Sequence, residues 1–440
     1  MKKRLIVFLL MGVLCIQSVS FAGPKEAYEE AYKMHLAAGA SVAAYHNRMG
    51  EIATRYLEQD GWKIDHYIQP QNRAGARFLI ATKEMEPGAS LYIVAIVGTE
   101  NSKDVAIDLK TSKVYFAGQS LEEMTANSLL NDIPNDKPKV HRGFNEYIQA
   151  GATAELRTQG KGPLFLPELL QANPKSHLLL TGHSLGGAAA TLVGARFIDM
   201  GLDPNQIEVI TFGAPAVGNA AFAEKFDPVL KLTRVVIAGD PIVTALQGLV
   251  GGYRQFGSEV KFKLPVTRDD PHDLAGYMDG VMKNQYDKRR LAVASGAELT
   301  EAASVKPMSG ERVCIAPLKN KLPESLAGEF YYMREALYDE YRQTLPNVII
   351  SDDKASENWL ENAAAANCRW LIAPEVESSQ VRQEKRIYYI TTFQMVYDVE
   401  AGKEVDVAVF STGTFNLTPL EAFVTSFKGI TSHKSGWLKQ

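Results

Sequence analysis

The residues with the clearest chemical potential form a short glycine-rich segment around Ser184. Residues 182–187 read GHSLGG, and they stand between the apolar run 177–181 and the small-residue run 185–200. A serine on a tight turn between a buried strand and a helix exposes its hydroxyl at the carboxyl end of the strand. The N–H of Leu185, at the start of that helix, can donate to a developing oxyanion. The pattern predicts a nucleophilic serine at position 184.

A serine nucleophile needs a base, and chain order limits the choice of histidine. In enzymes with a serine on such a turn, an acidic residue and then a histidine follow it along the chain. Only His272 and His433 follow Ser184, and His433 lies in the last residues of the chain. We therefore predict that His272 is the base.

Asp240 is the predicted carboxylate partner of this histidine. It directly follows the apolar run 232–238, so its side chain is expected at the same edge of the sheet as Ser184. Four other aspartates compete, two of them before prolines in turn-like segments and two too close to His272 to come from a separate strand. They are Asp203, Asp227, Asp269 and Asp270.

Alternating strand-like and helix-like runs surround these residues. Residues 24–60 have a helical pattern that we expect to break near Gly39, and residues 118–140 read as an irregular excursion. Strand-like runs occur at 62–68, 78–82, 91–97, 177–181, 206–212 and 232–238. Strands that alternate with helices predict a mostly parallel sheet covered on both faces.

The composition is that of a soluble globular protein. The chain has 440 residues, of which 46% are hydrophobic, and a formal net charge of −4. Its length suggests two or three domains, or a large domain with a small one. The weak negative charge provides no basic field for binding nucleic acid, so we expect no nucleic acid partner.

The first 22 residues predict a targeting signal rather than a part of the fold. Lys2, Lys3 and Arg4 precede an apolar run at 5–16, and a small-residue pattern ends at Ala22. We predict a signal peptide at 1–22 and an exported protein, periplasmic or secreted, in a bacterium. A short membrane anchor is the alternative.

The chain beyond residue 290 is predicted to be a separate part. We expect a catalytic domain at 23–290, a polar linker at 291–310, a smaller α/β domain at 311–425 and a tail at 426–440. The second domain contains Cys314 and Cys368, which an oxidising compartment could join; a disulfide and two buried thiols both stay open. No histidine lies between His272 and His433, so this domain has no evident catalytic cluster.

Four motifs together resemble the class 3 lipases, the fungal triacylglycerol lipase-like family, over about residues 30–290. They are VGTE at 97–100, VHRGF at 140–144, GHSLGG at 182–187 and TFGAPAVGN at 211–219. The resemblance implies an α/β-hydrolase fold, with Ser184 as nucleophile, Asp240 as acid and His272 as base. It also implies an oxyanion hole formed by Thr99 and Leu185.

Two positions depart from the family pattern. Val97 stands where the family usually has a basic residue, and the lid segment 101–109 has Val105 where an aromatic residue is common. The second change predicts weak activation at lipid surfaces and favours shorter or more soluble esters.

The resemblance implies an exported serine hydrolase that cleaves carboxylic esters of lipids through an acyl-enzyme. It implies no metal or organic cofactor, and transient contact with a membrane surface. The alternatives are a phospholipase A1 or lipid acyltransferase with the same triad, and a non-catalytic lipase-like binding or adaptor protein. The C-terminal domain resembles the amino-terminal domain of TolB-like proteins in its element pattern alone, and we interpret it as a structural or protein-binding appendage.

Overall fold

The computed structural model describes residues 23–45, 47–68, 77–98, 112–152, 155–156, 165–250, 252–299, 310–351, 358–382, 384 and 386–432. The predicted signal peptide, Thr99, the lid segment and His433 lie outside the described residues. Within the described ranges, no helix combines the length and the apolar character that crossing a bilayer requires.

A twisted sheet organises the first part of the chain. Its strands are β1 (Lys63–Ile68), β2 (Arg77–Glu86), β3 (Ala89–Ile96), β6 (Glu155–Leu156), β7 (His177–His183), β8 (Ile207–Phe212), β9 (Lys231–Ile237) and β10 (Ser258–Phe262). The strands β4 (Lys113–Tyr115) and β5 (Lys139–His141) pair with each other and form a separate small sheet. The order of the eight sheet strands described is β10-β9-β8-β7-β3-β2-β1-β6. From β3 to β10 the neighbours are parallel, and the β3-β2-β1-β6 edge is antiparallel. The predicted α/β-hydrolase class, with a mostly parallel central sheet, is confirmed.

Helices cover both faces of this sheet. They are α1 (Pro24–Ala43), α2 (Arg48–Gln59), α3 (Leu121–Ser128), α4 (Arg142–Ala152), α5 (Phe165–Ala172), α6 (Leu185–Asp199), α7 (Ala220–Phe226), α8 (Pro241–Ala245) and α9 (Leu274–Ala294). Side chains alternate between the two faces along each strand. In β3, Ile93 and Ala95 pack in the core with α1 and α9, whereas Val94 and Ile96 pack in the core with α6.

The predicted helix break near Gly39 is wrong. Helix α1 continues through Gly39 to Ala43, and the break falls before Asn47, whose side chain accepts a hydrogen bond from Gly50 N at 2.9 Å. A glycine costs about 1 kcal/mol inside a helix. Burial of the alanine-rich face of α1 in the core offsets that cost.

The excursion predicted at 118–140 contains helix α3. Ser120 caps it by accepting from Glu123 N at 3.2 Å, and Glu123 accepts in return from Gln119 N at 2.9 Å. This arrangement is a variant of the capping box, and its serine followed three residues later by a glutamate was visible in the sequence. The prolines further along the segment obscured that signal.

A second sheet organises the part of the chain at 310–432, which we call the C-terminal unit. Its strands are β11 (Val313–Ile315), β12 (Lys319–Lys321), β13 (Val348–Ile350), β14 (Trp370–Gln380), β15 (Tyr388–Asp398) and β16 (Lys403–Gly413). Its helices are α10 (Phe330–Thr344), α11 (Trp359–Ala365) and α12 (Pro419–Ser432). The strands lie in the order β13-β11-β14-β15-β16, with β12 beside β14.

The C-terminal unit corrects two of the predicted boundaries. Helix α12 crosses residue 426, where a tail was expected to begin, because Phe423 and Phe427 are both buried in the core of this unit. Helix α9 continues to Ala294 and so occupies the start of the predicted linker at 291–310. Residues 300–309 lie outside the described residues. The division into two domains stays a prediction.

The two cysteines of the C-terminal unit are joined by a disulfide. Cys314 and Cys368 have Cα atoms 5.8 Å apart and are 54 residues apart in the sequence. Both are buried in a small apolar cluster beside α11.

Candidate active site

Ser184 lies on a strained turn between β7 and α6. Its backbone has φ 58° and ψ −124°, a left-handed conformation that is costly for a residue with a side chain. The flanking glycines make this turn sterically feasible. A Cβ on Gly182 would lie 2.6 Å from the Gly186 carbonyl oxygen, and a Cβ on Gly186 would collide with the carbonyl of Ile96. The two glycines therefore allow the tight turn that fixes the position of the Ser184 hydroxyl.

The structure brings the three predicted side chains into one hydrogen-bonded row. His272 Nε2 lies 2.9 Å from Ser184 Oγ, and His272 Nδ1 lies 2.8 Å from Asp240 Oδ2. All three residues are at most 5% exposed. An imidazole held between a hydroxyl and a carboxylate can take the serine proton while the carboxylate stabilises the charge that forms on the ring.

Asp240 reaches this row from the end of β9, one residue before helix α8. Its Oδ1 accepts from Ile242 N at 2.8 Å, which fixes the carboxylate plane. Burial raises the pKa of Asp240, but the hydrogen bond and charge of His272, with further donors, outweigh burial and hold that pKa below its usual value. The carboxylate is therefore ionised where it faces the imidazole.

Two residues of the site were not predicted to act there. Tyr277 donates from its hydroxyl to Asp240 Oδ2 at 2.5 Å, and His183 donates from Nε2 to the carbonyl oxygen of His272 at 2.8 Å. Burial and the Asp240 carboxylate raise the pKa of Tyr277, so its phenol stays protonated. Burial and the nearby His272 lower the pKa of His183 to about 3, so that its ring is neutral. His183 lies within the GHSLGG motif, but nothing in the sequence indicated the contacts of either residue.

The predicted oxyanion hole is described in part. Leu185 begins helix α6 directly after Ser184, and Thr99 lies outside the described residues. The two residues before Thr99 are held in place by tyrosines: the Val97 carbonyl oxygen accepts from Tyr147 Oη at 2.8 Å, and Gly98 N donates to Tyr45 Oη at 3.2 Å.

Gly213 closes the site from beneath the triad. It has φ +58°, and a Cβ there would lie 2.9 Å from both Asp240 Oδ2 and Tyr277 Oη. Glycine is thus required both by the backbone conformation and by the space that the acid and its donor occupy.

Comparison with known proteins identifies this part of the chain. Residues 93–248 match the model of the family described as lipase (class 3). This segment belongs to the class 3 lipase family. The lipase segment contains Ser184 and Asp240, whereas His272 lies 24 residues beyond its end.

Curated relatives are similar to parts of the chain. The chain is 47% identical over 73 residues to a lipase of Caenorhabditis elegans, in an alignment that covers 16% of this chain and 20% of the relative. It is 29% identical over 177 residues to phospholipase A1-II 1 of Oryza sativa, covering 36% and 44%. It is 38% identical over 120 residues to a secreted mono- and diacylglycerol lipase of Fusarium solani, covering 27% and 33%. The chain thus spans less than half the length of these relatives.

Solved structures similar to the chain are also lipases. The Rhizomucor miehei triacylglyceride lipase is 19% identical, with a TM-score of 0.42, over 53% of this chain and 80% of that one. The Lip2 lipase of Yarrowia lipolytica is 22% identical, with a TM-score of 0.41, over 54% and 80%.

Proposed function

We propose that the protein is a serine hydrolase that cleaves carboxylic esters of lipids. The observation that carries the proposal is the continuous row of hydrogen bonds from Ser184 through His272 to Asp240. The strained conformation of Ser184 supports it, because such strain recurs at active sites. Membership of the lipase segment in a lipase family supports the same reaction.

The reaction proceeds in two steps. His272 Nε2 accepts the proton of Ser184 as Oγ attacks the ester carbonyl, and the imidazolium then returns a proton to the departing alcohol. The acyl group stays on Ser184 until water, deprotonated by His272, attacks the acyl carbon. The bond to Ser184 Oγ then breaks, the imidazolium returns its proton to that oxygen, and the acid is released. Asp240 stabilises the imidazolium in both steps, and the Tyr277 hydroxyl keeps the Asp240 carboxylate oriented.

We assign the oxyanion hole to the N–H of Leu185 and to Thr99. Leu185 N is at the amino end of the 15-residue helix α6, where the helix dipole favours negative charge. A donor of this kind is worth about 3 kcal/mol in the transition state. The tyrosine contacts to Val97 and Gly98 support the role of Thr99 because they fix the chain just before it.

The substrate and location are the finer parts of the proposal. We assign an acylglycerol or a shorter ester as substrate. We also assign export through the predicted signal peptide, and the name of the Fusarium relative, a secreted lipase, supports this export. Phospholipase A1 activity is the second candidate, because a rice relative bears that name. A lipid acyltransferase would form the same acyl-enzyme and pass it to an alcohol.

Turnover of p-nitrophenyl butyrate by the purified protein tests the reaction. We expect Ser184→Ala to lower kcat by about 10³-fold or more. Ser176→Ala is the matched control, since Ser176 is an equally buried serine beside the opposite end of β7 and should keep wild-type turnover. Equal turnover by wild type and Ser184→Ala would reject the proposal.

A lipid panel separates the candidate substrates. Emulsified trioleoylglycerol and phosphatidylcholine vesicles are each incubated with and without a long-chain alcohol, and the products are identified by mass spectrometry. Free fatty acid from the acylglycerol supports a lipase, lysophospholipid supports a phospholipase, and a new alkyl ester supports an acyltransferase. No product from any ester, together with no labelling by a fluorophosphonate, supports a non-catalytic adaptor.

A further inference from the structure

The loop that carries His272 joins two elements of the first part of the chain and is also contacted by the C-terminal unit. This loop, residues 263–273, joins β10 to α9. Within it, the Arg268 guanidinium donates from Nη1 to the carbonyl oxygen of Phe415 at 3.3 Å. Phe415 lies between β16 and α12 in the C-terminal unit. A residue of that unit therefore contacts the loop four positions from the histidine of the candidate triad.

The same guanidinium also holds the residue after His272. Arg268 Nη2 forms an ion pair with Asp273, and Asp273 caps helix α9 by accepting from Ala275 N at 3.1 Å. On the other side, His272 N donates to Asp270 Oδ1 at 2.8 Å. The backbone of His272 is thus fixed by its two acidic neighbours, and Arg268 ties one of them to the C-terminal unit.

Burial distinguishes Arg268 from Arg386, whose ion pair with Asp269 also links this loop to the C-terminal unit. The Arg268 and Asp273 side chains are 15% and 25% exposed, so their attraction is only partly screened by water. The Arg386–Asp269 ion pair is 55% and 78% exposed, and such pairs contribute little. Burial lowers the pKa of Arg268, whereas the carboxylates of Glu421 and Asp270 act to raise it.

We propose that Arg268 is a positioning residue through which the C-terminal unit holds His272 in line with Ser184 and Asp240. This inference rests on the proposed function, because its kinetic test requires that the protein hydrolyse esters. It gives the C-terminal unit a role in the reaction without a reacting group of its own. A shift of about 1 Å in a catalytic group can cost 10²-fold in rate, so a modest loss of tethering has a large effect.

Two variants and a matched control isolate this role. Arg268→Met removes the hydrogen bond to Phe415 and the ion pair with Asp273 and keeps an apolar stem, whereas Arg268→Lys retains a cation that can pair with Asp273. Arg289→Met is the control, because Arg289 also links α9 to the C-terminal unit, through Asp339 at 2.6 Å and Glu335 at 2.9 Å. It lies about 22 Å further along the helix, far from His272.

Two measurements on the full-length protein read out the position of His272. The first is kcat and KM for p-nitrophenyl butyrate. The second is the deshielded Nδ1 proton of His272 in the NMR spectrum, which reports its hydrogen bond to Asp240 without any turnover. We expect Arg268→Met to lower kcat about 10- to 100-fold, with KM within about twofold, and to broaden or abolish that proton signal.

The remaining variants make the outcome specific. Arg268→Lys should recover part of kcat. Arg289→Met should keep both kcat and the proton signal, even if its melting temperature falls as much as that of Arg268→Met. Wild-type kcat and an intact proton signal in Arg268→Met would overturn the inference, as would equal losses in Arg289→Met. A wild-type protein that hydrolyses no ester would reject the proposed function instead, and the proton signal would still decide the role of Arg268.

Discussion

The hydroxyl of Tyr277 lies 2.5 Å from Oδ2 of Asp240, the same oxygen that accepts a hydrogen bond from His272. Tyr277 is on α9, one turn after the loop that carries His272. The oxygen that faces the base therefore has two donors, and the second comes from a rigid helix. This arrangement fixes the carboxylate and lowers its pKa.

Replacing Tyr277 by phenylalanine should slow ester hydrolysis. Loss of a hydrogen bond to a charged group costs about 1.5–3 kcal/mol, so we expect kcat/KM to fall roughly tenfold or more. The acidic limb of the pH–rate profile should move to higher pH, because the lost hydrogen bond had lowered the pKa of Asp240. Tyr286→Phe is the control, since Tyr286 is a buried tyrosine on the same helix. An unchanged rate and pH profile in Tyr277→Phe would refute this role.

Alanine at position 213 should disturb the triad directly. The new Cβ would lie 2.9 Å from Asp240 Oδ2 and 3.2 Å from His272 Nδ1, so we expect at least a tenfold loss of kcat. Gly88→Ala separates this clash from backbone strain, because Gly88 also has a positive φ, +78°, but open space around it. Its cost should be the strain alone, about 1–2 kcal/mol of stability, with wild-type kcat. Similar activity in both variants would contradict the steric account.

Glu421 should make the stability of the protein depend on pH. It forms a capping box with Thr418 at the start of α12, and burial raises its pKa to about 8. An acid whose pKa is higher in the folded state favours folding most below its unfolded pKa, about 4.5. That contribution is lost as pH rises from about 4.5 to 8.

Glu421→Gln tests this dependence by removing the charge while keeping an oxygen acceptor for the Thr418 N–H. The melting temperature of the wild type should fall relative to Glu421→Gln between pH 5 and pH 9. Glu324→Gln, at an exposed position of the same unit, is the control. Parallel melting profiles of wild type and Glu421→Gln would show that Glu421 does not titrate in this range.

The disulfide should stabilise the C-terminal unit. A bond that closes a loop of 54 residues restricts the unfolded chain by about 4 kcal/mol. Reductant should therefore lower the urea midpoint of the wild type. It should leave the double variant Cys314→Ala/Cys368→Ala unchanged, and that variant should already unfold at the lower midpoint. The absence of any effect of reductant on the wild type would contradict this prediction.

Local sequence patterns predicted the fold class but not all of the site. The turn at Ser184 follows from glycines within a few residues of it, and strand ends pointed to Asp240. Tyr277 and Arg268 act across longer separations, 37 residues to Asp240 and 147 residues to Phe415. Such contacts depend on how helices pack on the sheet, which local patterns do not specify. For the same reason, helix α1 continues through Gly39, because packing of the helix outweighs the low helix propensity of glycine.

Labelling with a fluorophosphonate tests most directly whether Ser184 is an activated nucleophile. The reagent phosphonylates only a serine whose hydroxyl is deprotonated by a neighbouring base, and peptide mass spectrometry identifies the modified residue. We predict one label on the wild type, at Ser184, and a labelling rate reduced by at least 10²-fold in His272→Ala. A wild-type protein that stays unlabelled, or is labelled at another serine, would contradict the account.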